Sequence, residues 1–123
     1  MKITWFNAKE REGLASLYAT NITLNTVASI PFEYAYRVQI GIDEKNNVVI
    51  QPLSKERVTR GDLDEYAIQK IALKKSYSRI SSTDIMKKIA SALEMTLDET
   101  PQRFKTKWDD KENILTICTG KEE

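Results

Sequence analysis

Histidine is absent from this chain. Its absence removes the commonest general base and the ordinary nucleophile–base pair of covalent catalysis. The one cysteine, Cys118, excludes an intramolecular disulfide and fits a reducing compartment. Glycines 13, 41, 61 and 120 are too scattered to build a phosphate-cradling loop. No apolar run approaches the length of a membrane span. In "MKITWFNAKEREG" a Trp–Phe pair is followed by dense charge where a secretory signal needs its apolar stretch. These features lead to the expectation of a cytoplasmic, non-enzymatic protein with no membrane association. No positioned acid, base and oxyanion donor can be assembled from what remains, so no catalytic residue, metal or cofactor is expected. An excess of one charge is also lacking: 19 basic residues face 18 acidic ones.

What the chain does contain is a repeat. A shift of 66 positions lays Arg37 on Arg103, Asp43 on Asp109, Lys45 on Lys111 and Asn47 on Asn113, with Val48–Val49 falling on Ile114–Leu115. Upstream, a shift of 58 lays "ITLNTVA" on "ISSTDIM", so the second copy is eight residues longer between the two blocks. The extra length falls in "TDIMKKIASALEM". There Ile85, Ile89 and Leu93, with Met86 and Ala90 beside them, form an apolar stripe of helical period. Ser81 with Asp84 predicts a capping box at its start. The equivalent stretch of the first copy is short and contains Pro31, which predicts a brief helix.

Each copy therefore reads strand, helix, strand, tight turn, strand, preceded by a further strand candidate at "LASLYA", residues 14 to 19, and "AIQKIALKK", residues 67 to 75. The fold class is mainly β with short helices, β or α+β. A chain of this length forms a single domain, because half of it would bury only about 60% of its unfolded surface. Repeat 1 is assigned to 14–53, a polar connector to 54–66 and repeat 2 to 67–119. In the connector, Asp62, Asp64 and Glu65 read as a solvated charge run. In the turns, Asn47 and Asn113 are expected to take the left-handed conformation. Asp43 and Asp109 are expected to accept from the backbone two residues on. A cation would need more oxygen ligands than Asp43–Glu44 or Asp109–Asp110 supply.

The near-zero net charge hides a basic middle. Residues 67–107 carry nine basic and four acidic side chains, whereas residues 108–123 carry two and five. Lys70, Lys74, Lys75 and Arg79 precede the second helix, and Arg103, Lys105 and Lys107 alternate with Phe104, Thr106 and Trp108. By strand period the three cations share one face and the aromatic pair faces the core. Such a face, beside "KKSYSR", suits a phosphate backbone. The plainer alternative is the solvated outer face of a half-buried sheet, where lysine also guards against edge pairing. Cys118, aligned with Pro52 of the first copy, reads as a small residue of the last strand. Trp5, Phe6, Phe32, Tyr34 and Tyr36 are expected in the core; exposed, they would mark a protein interface.

The element order, the closing hairpin "IGIDEKNNVVIQPL" and the duplication resemble the AbrB-like (SpoVT-type) swapped-hairpin barrels of bacterial transcriptional regulators, over residues 14–53 and 72–119. The resemblance implies that the two copies interleave their hairpins into one barrel with pseudo-two-fold symmetry. It further implies duplex DNA as a partner, with Arg79 as the counterpart of the family's turn arginine. The candidate nucleic-acid-binding residues are thus Lys74, Lys75, Arg79, Arg103, Lys105 and Lys107. The competing expectation is a structural or protein-interaction module that binds no nucleic acid and meets a protein partner or a second copy of itself.

Overall fold

The computed structural model describes residues 1–5 and 12–120. Strands β1 (Leu14–Leu17), β2 (Asn21–Asn25), β3 (Arg37–Ile42) and β4 (Val48–Leu53) come from the first copy. Strands β5 (Ala72–Leu73), β6 (Tyr77–Ser81), β7 (Gln102–Asp109) and β8 (Ile114–Ile117) come from the second. The protein is mainly β. All eight strands share one sheet, every pair antiparallel, in the order β3-β4-β8-β7-β1-β2-β6-β5. The β7–β8 hairpin of the second copy is lodged between β4 and β1 of the first, so the two copies interleave. The sheet curls until a single bridge, Val38 to Gln69 just before β5, joins its two ends.

Exchanging the copies maps this order nearly onto itself. The β4–β8 and β2–β6 pairs map onto themselves, β3–β4 onto β7–β8, and β1–β2 onto β5–β6. Alternation along the strands supplies the interior. Ala15 and Leu17, Ile22 and Leu24, Val48 and Ile50, and Leu115 and Ile117 are all buried, and each strand's other face is half-buried or exposed. Trp108 points inward and meets the buried Phe32 of the first copy edge-on, with ring centroids 6.3 Å apart. Among the described residues one polar side chain lies wholly in the interior, Ser78, whose hydroxyl shares a 2.7 Å hydrogen bond with that of Ser29.

The helices differ between the copies as their lengths predict. In the first, α1 (Thr26–Ser29) runs into a 3-10 turn at Ile30–Phe32 that begins around Pro31. In the second, the longer segment contains an 11-residue helix, Thr83–Leu93, which buries Met86 and Ile89. Its cap is Ser82, not Ser81: the Ser82 hydroxyl accepts from Ile85 N–H at 3.2 Å. Ser81 is committed to the sheet, paired with Asn21, and so cannot turn into the helix. The connector also departs from its sequence reading. It contains a short helix, α2 (Lys55–Thr59), whose N-cap is Ser54, and a 3-10 turn at Glu65–Ala67, whose cap is Asp64. With the connector's helix counted as α2, the Thr83–Leu93 helix is α3. A helix as short as α2 has too few turns to leave a period in the sequence.

The two turns agree in chemistry and differ in one assignment. Asp43 Oδ1 accepts from Lys45 N–H and from Asn47 N–H, both at 2.9 Å, and Asp109 Oδ1 accepts from Lys111 N–H at 2.9 Å. The left-handed residue is Asn113 in the second turn (φ 58°) but Asn46 in the first (φ 64°). Asn47 is held otherwise: its Nδ2 donates to Asp43, and its Oδ1 accepts from Gly120 N–H at 2.8 Å.

The aromatic residues correct the sequence expectation. Phe32 is core, whereas Trp5 and Tyr34 are 80% and 90% exposed and Tyr36 is also on the surface. Tyr36 carries the Arg37 guanidinium 4.2 Å above its ring, and Phe6 lies outside the described residues. Phe32 packs edge-on against Trp108, whereas the tyrosines that follow lie on the surface.

Candidate nucleic-acid interface

The face formed by β6, β2, β1 and β7 brings the predicted cations together. Strand registers pair Arg79 with Thr23, Thr23 with Ser16, and Ser16 with Arg103, so the four residues form one row across the sheet. Their neighbours along each strand, Ser78 and Ile80, Ile22 and Leu24, Ala15 and Leu17, are buried. The row therefore lies on the outer face. Three strand spacings separate the two arginines by about 14 Å along the row. Only the neutral Thr23 and Ser16 stand between them.

Next to this row Tyr77 pairs with Asn25 and Leu14 with Lys105, and the Asn25 side chain accepts from Leu14 N–H between them. Lys107 continues the outer face of β7, where Arg103, Lys105 and Lys107 are exposed and Phe104, Thr106 and Trp108 half-buried, as the alternation predicts. Lys74 and Lys75 lie in the β5–β6 turn, just beyond Tyr77, with Lys74 N–H donating to the Tyr77 carbonyl at 2.8 Å. The registers put that turn at the same end of the sheet as Lys107. All six candidate residues thus belong to one four-stranded region: they lie on β6, β7 and the β5–β6 turn of the second copy, bridged by β1 and β2 of the first.

Two contacts set how available these charges are. The Arg79 guanidinium lies 5.2 Å from the Tyr77 ring centroid, which steadies it over the sheet without neutralising it. Lys105 Nζ is 3.7 Å from Glu12 Oε1, with side chains 71% and 67% exposed. An ion pair this open is weak and gives way readily to another anion. The Asn25 side chain ties β2, β1 and α1 together beside this face. Asn25 caps α1 by accepting from Ala28 N–H, accepts from Leu14 N–H, and donates to the Glu12 carbonyl.

Other chemistry is sparse. Among the described residues no group of three or more His, Cys, Asp or Glu side chains could hold a metal ion. Asp43 is the one described group with a clear displacement. The Asn47 N–H that it accepts holds its carboxyl below the usual value; burial opposes this, and Lys45 N–H, Asn47 Nδ2 and the Lys45 charge add to the lowering. The turn is its whole environment, so the displacement is structural. Cys118 lies one residue past β8, half-buried, its N–H donating to the Lys105 carbonyl at 2.9 Å. An open groove adjoins it, lined among others by Trp108, Asp110, Met95 and Lys45. Its lining carries side chains of both charges. No helix among the described residues is long and apolar enough to cross a membrane.

Sequence reasoning found the β7 face and Arg79 but missed Thr23 and Ser16, the neutral residues that join them. Nothing in "NITLN" or "LASL" marks those strands as the bridge between two basic segments. Compared with known proteins, the chain matches no family model, no curated protein and no solved structure.

Proposed function

We propose that this chain is a DNA-binding transcriptional regulator of AbrB-like build, without enzymatic activity, that lays the outer face of β6-β2-β1-β7 against a phosphate backbone. The observation that supports it most is the row Arg79–Thr23–Ser16–Arg103, because two cationic segments far apart in sequence share one face with no acidic residue between them. Arg79 and Arg103 supply planar, permanently charged forks to phosphate oxygens. Lys105 and Lys107 extend the contact along β7, and Lys74 and Lys75 extend it from the β5–β6 turn.

The test is the fluorescence anisotropy of a labelled random duplex at several salt concentrations. Affinity falls with salt, by a log–log slope of about 0.9 for each phosphate neutralised. Replacing Arg103, Lys105 and Lys107 together by Gln flattens the slope by roughly three units, and Arg79→Gln by roughly one. Glu12→Gln, which releases Lys105, tightens binding. Absence of binding at low salt and micromolar protein overturns the proposal, since non-specific attraction is the least that such a surface must show. A second reading, a protein-interaction module that binds no nucleic acid, is favoured by the exposure of Ile30, Tyr34 and Tyr36 within seven residues. That outcome of the binding test would select it.

A further inference from the structure

Val38 and Phe104 hold equivalent places in the two copies, and both face a seam of the barrel. Phe104 pairs with Ala15 inside a continuous register from Leu14 to Leu17. Across its seam Val38 meets only Gln69, its N–H donating to the Gln69 carbonyl at 2.9 Å and its carbonyl accepting from Gln69 N–H at 2.7 Å. One seam is thus zipped by a strand and the other is closed by one bridge. The segments that make the two seams also differ in anchorage. Strand β1 sends Ala15 and Leu17 fully into the core, but none of residues 64–73 is fully buried, and Ile71 alone among them packs against the core cluster. Its last two residues, Ala72 and Leu73, pair with Arg79 and Ser78 of β6, whereas before them the bonds are mostly the stretch's own: Tyr66 and Ala67 N–H donate to Asp64, and Gln69 Nε2 donates to the Tyr66 carbonyl.

We propose that residues 64–71 form a hinged strap that detaches from β3 while the rest of the sheet stays folded, swinging between α2 and β5. Segments with few buried contacts open at a lower free-energy cost than the whole domain. Opening presents a strand edge. Because the Val38 backbone groups point out of the sheet, those of Ile40 and Ile42 do so too, while Gln39 and Gly41 bond to β4. From Val38 to Ile42 the edge carries no lysine and no proline, the usual guards against strand addition.

Native-state hydrogen exchange of the full chain, read by NMR at low urea concentrations, tests the strap. The Val38 and Gln69 amides should exchange at least about tenfold faster than those of Ala15 and Phe104, with little dependence on urea, while the latter pair follows global unfolding. Gln69→Pro, which removes one donor of the bridge, should speed Val38 by a further tenfold or so and leave Phe104 unchanged. Equal protection and equal urea dependence of Val38 and Phe104 overturn the proposal. So does a Gln69→Pro variant in which both accelerate by the same factor. Should that variant not fold, the wild-type comparison decides alone.

Discussion

Gly120 N–H donates to Asn47 Oδ1 at 2.8 Å, joining the end of the described chain to the first copy's turn. The same contact continues through Thr119, whose hydroxyl donates to the Asn46 carbonyl and accepts from Val48 N–H. The turn is therefore built from two segments more than seventy residues apart in sequence, and a Cβ at residue 120 has no room in it.

Gly120→Ala should destabilise the protein. The added methyl overlaps the Lys45 carbonyl oxygen and comes within 2.8 Å of Asn47 Oδ1, both part of a hydrogen-bonded turn. A loss of about 1–3 kcal/mol is expected by urea denaturation, the usual scale for overpacking. Gly61→Ala is the contrasting case. Its φ is +76° with nothing near the added atom, so only the left-handed backbone penalty of about 1 kcal/mol applies.

Asn46 and Asn47 should respond oppositely to glycine. Asn46→Gly leaves stability within roughly 0.5 kcal/mol of wild type, because glycine adopts a φ of 64° without strain. Asn47→Gly removes the acceptor for Gly120 and the donor to Asp43. It should cost about 1–3 kcal/mol by the same denaturation measurement. The reverse order would restore the assignment suggested by aligning Asn47 with Asn113.

Acid should weaken the first turn through Asp43. Its carboxyl titrates below the usual value in the folded protein, so the stability it confers is fully present above the unfolded value of about 4 and is lost as pH falls through the lower folded value. Compared with Asp43→Asn by thermal denaturation, the wild type should keep a constant advantage from neutral pH to about pH 5 and lose it progressively below about pH 4. An advantage that persists unchanged to pH 2 would show that the charge on Asp43 is irrelevant to the turn.

Most of the local architecture was legible in the chain. The repeat, the strand–helix–strand–strand order, the Asp-led turns and the exposed face of β7 all follow from interactions within a few residues, for which spacing is sufficient information. The longer second helix was legible for the same reason, since Met86 and Ile89 sit where the apolar stripe places them. Misreadings occurred where a local preference met a distant partner. Ser81 has the right spacing to cap α3 but is paired with Asn21, and Asn47 has the right identity for a left-handed turn but is held by Gly120.

The candidate interface divides along the same line. Period-two alternation by itself determined that Arg103, Lys105 and Lys107 share a face, because a pleated strand leaves its side chains only two directions. Only the tertiary structure decided that Arg79 stands in the same row as Arg103. That depends on β1 and β2 of the first copy inserting between β6 and β7 of the second, an outcome of long-range strand pairing in which many orders satisfy the same alternation. The tertiary structure also decided that Phe32 goes inside, against Trp108, while Tyr34 two residues on lies outside, since which of several nearby aromatics is buried depends on partners distant in sequence.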